Sequence, residues 1–264
     1  MAGFFFLEPF SSAAKLVFHS HQSGPHIGAV FEPFVELCIS LRLNDQIMFI
    51  GHFAIGLLAR KKETQPSLAL MFVAVQFLDL LWPVLVLMGI ESLAIDPGNT
   101  KLTHLDFEYY PYSHSLLMAL VWSVLFGVVY YVFKKNRNGA LLLGGLVFSH
   151  WVLDLITHRP DLPLSPFSET KVGFGLWNYP VAEIILELAI FGLGAFLYYK
   201  SPCFKRKIAF WLLVLFLLVV HLMNLFGPPP PDTLAVAWSA NLMWLIVLWA
   251  WWIEKKKKSS TVSN

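Results

Sequence analysis

Six apolar stretches constrain this chain more than any other feature. They cover residues 67–90, 114–133, 139–157, 180–199, 208–226 and 234–253. Each is close to the ~20 residues with which a helix crosses the hydrocarbon of a bilayer. Backbone groups inside lipid must be satisfied within their own segment, so such runs fold as helices. The composition agrees, with only 14% charged residues and a mean hydropathy of +0.63, where a soluble domain carries roughly 25% charge. The expected fold is all-α: a polytopic membrane helix bundle of about six spanning helices plus one short buried helix. The short helix starts near Met48 and carries His52, and its apolar piece is too brief to span.

The junctions alternate in character. Arg60-Lys61-Lys62, Lys134-Lys135, Lys205-Arg206-Lys207 and the lysines at 255–258 mark every second break. The other breaks, 91–112, 158–179 and 227–233, are acidic, mixed or proline-rich. Basic loops stay in the cytoplasm, which predicts a multi-pass protein of the bacterial inner membrane with a cytoplasmic C-terminus. Residues 1–47 read as an irregular extension, with a start at Met48 left open. Residues 48–254 read as the membrane domain and 255–264 as a basic cytoplasmic tail. A net charge of +2 gives no reason to expect nucleic acid as a partner. Membrane lipids and a small or lipid-like substrate are the expected partners, and the oligomeric state is not legible.

Polar groups inside the apolar runs carry the chemistry, because a charge at mid-bilayer costs at least ~2.5–3.5 kcal/mol and needs a partner or a purpose. His150, Asp154 and His158 recur at every fourth residue before Pro160, so on one continuous helix they would share a face. Asp79 lies mid-run, four residues before Pro83, where a kink is expected. His114 opens the next run. Neutral imidazoles and carboxylates are ordinary ligands of zinc. The candidate metal set is therefore His52, Asp79, His114, His150 and Asp154, with a divalent ion, zinc first, as the cofactor. His158 and Asp161 are the candidate catalytic pair. Buried histidines also serve as plain packing groups, and that reading stays open. Glu183, Glu187, His221 and Asn224 are expected to be structural.

With these residues in view, the region from Met48 to about Glu254 resembles the bacterial inner-membrane proteins labelled membrane-bound metal-dependent hydrolases. The resemblance rests on Gly51-His52, Phe77-Leu78-Asp79, Ser113-His114-Ser115, and Ser149-His150-Trp151-Val152-Leu153-Asp154 with Thr157-His158-Arg159-Pro160-Asp161. It implies a hydrolytic reaction class and no particular substrate; the membrane setting adds a lipid or lipid-linked ester or phosphate. The alternative is a non-enzymatic binding protein or transporter with a buried His/Asp proton relay. Finally, residues 165–179 are expected to close over the His150–Asp154 pocket as a lid, with Gly173 and Gly175 near its hinge, or else to act only as an anchor that fixes membrane depth.

Overall fold

A computed structural model describes residues 49–62 and 64–255. The expectations for residues 1–47 and for most of the basic tail lie outside the described residues. The chain opens with α1 (Phe49–Ala59), followed by α2 (Leu68–Val75) and α3 (Phe77–Leu87). A hairpin of β1 (Ser92–Ile95) and β2 (Leu105–Tyr109) leads into α4 (Pro111–His114). Two long helices come next, α5 (Leu116–Lys134) and α6 (Arg137–Thr157). A small hairpin of β3 (Leu162–Pro163) and β4 (Lys171–Val172) and a 3-10 turn at Leu176–Asn178 precede α7 (Pro180–Lys200). The described chain finishes with α8 (Lys207–Phe226), α9 (Thr233–Asn241) and α10 (Met243–Glu254).

The expected architecture holds. Five helices, counting α9 and α10 as one, are long and apolar enough to span a membrane, and α2 with α3 makes up to six. α1, eleven residues long, is the short buried one: Ile50, Phe53 and Ala54 are fully covered. Its seat depends on Gly194 of α7, where an added Cβ would stand 2.7 Å from the Ala54 carbonyl oxygen. The bend in the first span falls elsewhere than expected. α2 and α3 meet at 56° around Gln76, whereas Pro83 sits inside α3 without ending it. A proline deletes one donor but does not oblige the helix to stop, and here the break comes almost two turns earlier.

Side-chain contacts fix which ends of the helices lie together. Arg60, just past α1, makes a paired contact with Glu254 at the end of α10, at 2.8 and 3.2 Å. Glu254 also accepts from the Leu68 N–H at the start of α2 and from the Tyr198 hydroxyl near the end of α7. Arg206, at the start of α8, stacks on Trp252. The basic junctions at 60–62, 205–207 and 255 thus share one end of the bundle. The other end carries both hairpins and the polar residues of the site.

Helix α5 is the outlier in burial. Of its 19 residues only Ala119 is buried, so most of this strongly apolar helix faces outward, as a lipid-contacting helix does.

Candidate metal centre and its proton-handling neighbours

α6 carries His150 and Asp154 one turn apart, α3 brings Asp79, α4 brings His114, and α1 brings His52. All five converge. His114 Nε2 lies 3.3 Å from Asp79 Oδ1 and 3.9 Å from Asp154 Oδ2. His150 Nε2 lies 3.6 Å from Asp79 Oδ1 and 3.3 Å from Asp154 Oδ2. His52 Nε2 approaches the other Asp154 oxygen at 3.2 Å, and its ring stacks on that of His150 with centroids 3.8 Å apart. The donor atoms of Asp79, His114 and His150 all lie within 4.8 Å of one another, as do those of His52, His150 and Asp154.

Which imidazole nitrogen faces the centre is set from behind. His150 Nδ1 is 2.7 Å from the Val75 carbonyl oxygen. A carbonyl only accepts, so Nδ1 holds the proton there. The Nε2 lone pair of a neutral His150 then points at the two carboxylates. Val75 ends α2, where the last carbonyls have no intrahelical partner, so the break at Gln76 leaves this oxygen available. His114 Nδ1 is 2.7 Å from Ser113 Oγ, and that hydroxyl donates to Glu91 Oε2, also at 2.7 Å. Glu91 in turn accepts from the Tyr112 and Ser113 N–H groups at 2.8 Å each. Burial pushes the Glu91 carboxyl above its ordinary pKa, against the hydrogen bonds from Ser113.

If both rings are neutral in these tautomers, two imidazole lone pairs and two carboxylate oxygens face one another without a donor between them. Asp154 Oδ2 is buried and accepts no hydrogen bond from the described residues. Four mutually facing acceptors are repulsive unless a cation lies among them. Ligand bonds of about 2.0–2.1 Å in a tetrahedron give ligand-to-ligand edges of about 3.3–3.4 Å. The four separations observed here run from 3.3 to 3.9 Å. The residues fit a divalent ion.

His158 departs from the expectation of a shared helical face. It caps α6 in an extended conformation, and its N–H closes the last turn on the Asp154 carbonyl at 2.8 Å. Its ring turns to Asp161, with Nδ1 2.9 Å from Oδ1. Asp161 also accepts from the Tyr110 hydroxyl at 3.2 Å and from Arg159 Nε at 3.1 Å. Arg159 continues to Asp106 of β2 at 2.5 Å, which ties the first hairpin to this turn. Burial alone would raise the Asp161 carboxyl, but His158 and Arg159 hold it below its usual range. Burial and the Asp161 charge push the Tyr110 hydroxyl well up, so it stays a donor.

Both groups of residues open onto one cavity of about 40 Å³, enough for a water molecule. Asp79, His114, Asp154 and His158 form its polar wall, and Trp82, Phe107 and Trp177 its aromatic one. The 165–179 loop does reach the cavity, through Trp177, which lies against His158 with ring centroids 4.1 Å apart. Phe174 points outward and is exposed. The first hairpin covers the cavity equally, through Thr103, Leu105 and Phe107. Sequence reasoning missed Glu91, Tyr110 and this hairpin, and it quoted Ser113 beside His114 without giving it a role. A signal for the hairpin was present: Pro97-Gly98-Asn99 followed by the alternating Leu105-Asp106-Phe107-Glu108-Tyr109.

Residues 111–227 match the family of YdjM inner membrane proteins. Together with the apolar helices, this match supports an integral protein of the bacterial inner membrane. The matched segment contains His114, His150, Asp154, His158 and Asp161, while His52 and Asp79 precede it. No curated protein and no solved structure matches the chain.

Proposed function

We propose that this chain is a metal-dependent hydrolase of the inner membrane, acting on a membrane-associated or lipid-like ester or phosphate. The observation that carries the reading is the convergence of the His114 and His150 Nε2 atoms on carboxylate oxygens of Asp79 and Asp154. These residues would hold one divalent ion, zinc being the choice that imidazole-rich sites favour. His52 joins the set through the second Asp154 oxygen. Such an ion supplies Lewis acidity, polarising the scissile group and making water acidic enough to react near neutral pH.

The chain's own residues supply the proton handling. With Nδ1–H donated to Asp161, His158 keeps Nε2 as an acceptor, the arrangement of a general base oriented by a carboxylate. Asp161 and Tyr110 fix that ring and stabilise it once protonated. The aromatic wall excludes bulk water. The basic end of the bundle is assigned to the cytoplasm by the positive-inside rule, which places the cavity toward the outer face.

Metal analysis of the purified protein and of His150→Ala tests the reading. Stoichiometric metal in the first and a loss of most of it in the second is expected, together with turnover of a chromogenic ester or phosphate in the absence of any ion gradient. Equal, substoichiometric metal in both would overturn it. A metal-free protein that shows pH-driven uptake in proteoliposomes would point to the transport alternative instead.

Ser113→Ala removes the link between His114 and Glu91 without touching the centre. Loss of a hydrogen-bond partner behind a metal-binding histidine lowers affinity by roughly 10- to 100-fold. Competition with a chelator should show a shift of that size, and an unchanged metal affinity would remove Glu91 and Ser113 from the account.

A further inference from the structure

A second polar cluster lies inside the bundle, formed by side chains outside the set just described. Glu183 and Glu187 stand one turn apart on α7, and His221 faces them from α8. Their exposures are 1%, 0% and 1%. Glu187 Oε1 accepts from the Gly51 N–H at 2.9 Å, and Glu187 Oε2 lies 3.4 Å from His221 Nδ1. Side chains four residues apart on a helix are neighbours, so the two buried carboxyl groups can reach each other. Yet among the described residues no hydrogen-bond donor reaches Glu183 Oε1, Glu183 Oε2 or Glu187 Oε2, and His221 Nε2 is also without a hydrogen-bond partner there.

Two carboxylates cannot hydrogen-bond to each other unless one carries a proton. Nor can two full charges sit side by side in a bilayer without a counter-charge. Among the described residues no lysine or arginine pairs with either one, and the only ion-pair partner is His221. The groups facing the pair are the Gly51 backbone from α1 and His221, with Asn224 on the next turn of α8. The ligand-type atoms of these three side chains do not all lie within 4.8 Å of one another. That spacing disfavours a compact divalent site. A single proton shared between the carboxyl groups satisfies the geometry.

We propose that Glu183, Glu187 and His221 form an intramembrane proton-binding site, in which one proton is held between the two carboxyl groups beside the imidazole. Glu183, in the first turn of α7, is the group nearest the helix end through which that proton exchanges with water. The site uses none of the side chains of the proposed metal centre, although Glu187 holds the Gly51 N–H next to His52, and the two can fail separately.

Infrared difference spectroscopy on the full-length protein in lipid nanodiscs reads it directly. The wild type should show a protonated-carboxyl C=O stretch at neutral pH that Glu183→Gln abolishes. In that variant the new amide N–H donates to Glu187 and replaces the shared proton. His150→Ala should leave the band in place, and Glu183→Gln should leave metal content unchanged. His221→Gln, which keeps both carboxyl groups, should retain the band and serves as the second variant. Addition of sodium at constant ionic strength separates the two monovalent cations: loss of the band on adding sodium would overturn the assignment of a proton in favour of sodium. Identical spectra for wild type and Glu183→Gln, both folded, would overturn the proposal.

Discussion

Asp154→Asn is expected to yield a folded, membrane-inserted protein that holds no metal and turns over substrate roughly 10²- to 10³-fold more slowly. Asp154 meets three imidazoles through its two oxygens, at 3.2, 3.3 and 3.9 Å, so its charge is the single most shared feature of the centre. Loss of a partner behind a metal ligand already costs about 10- to 100-fold in metal affinity or activity, and loss of a ligand's own charge should cost more. Asparagine keeps the shape of the side chain but offers an amide N–H to the lone pairs of His114 or His150. The variant can therefore satisfy these histidines without a cation, which is why the fold should survive. Asp154→Ala lacks that donor and should lower stability as well. Metal content and thermal unfolding in detergent, measured on both variants, separate the two effects. Full metal occupancy in Asp154→Asn would show that the charge is not needed to hold the ion.

Gly173→Ala should be the most damaging change outside the centre. Gly173 has φ +155°, and an added Cβ would fall 2.1 Å from the Arg159 carbonyl oxygen and 2.5 Å from that of His158. Both of those atoms are backbone and cannot swing aside. The loop must lift, breaking the Phe174 N–H bond to Leu155 O at 2.8 Å and the Gly175 N–H bond to His158 O at 2.7 Å. Strain of about 1–3 kcal/mol and two lost hydrogen bonds of about 1 kcal/mol each give a cost of about 3 kcal/mol or more. Trp177 would leave His158 at the same time, so turnover should fall with stability. Gly175 has φ +74° but only a 3.6 Å contact, so Gly175→Ala should cost about 1 kcal/mol for the left-handed conformation alone. Equal effects of the two substitutions in thermal unfolding and turnover would contradict this. The glycines thus allow a tight docking of the loop on the 158–159 backbone, where the sequence had suggested a hinge.

The bundle was legible because its signal is local. A run of apolar residues declares a spanning helix without reference to any other segment, and the span from residue 180 to residue 200 starts where the composition changes. The candidate site was half legible for the same reason. Histidines and aspartates in apolar surroundings stand out singly, and His52, Asp79, His114, His150 and Asp154 do meet in space. What supports them did not stand out. Glu91 lies in a junction already expected to be polar, and Ser113 stands in its motif only as the neighbour of His114. Tyr110 looks like one more interfacial aromatic. Their roles depend on contacts across 22 residues for Glu91 with Ser113 and 51 for Tyr110 with Asp161, which no periodicity encodes. His158 shows the opposite error. Its spacing fitted the helical face, but the chain leaves the helix before Pro160 and the ring serves Asp161 instead.

The bend at Gln76 has a consequence for how this protein can vary. The group that selects the useful form of His150 is the Val75 carbonyl, an atom every residue type possesses. Substitution at position 75 cannot delete it, and comparison of side chains would never reveal it. Heritable constraint is displaced onto whatever keeps the helix interrupted, so a change that heals the break would silence the histidine while leaving every candidate ligand in the text of the gene.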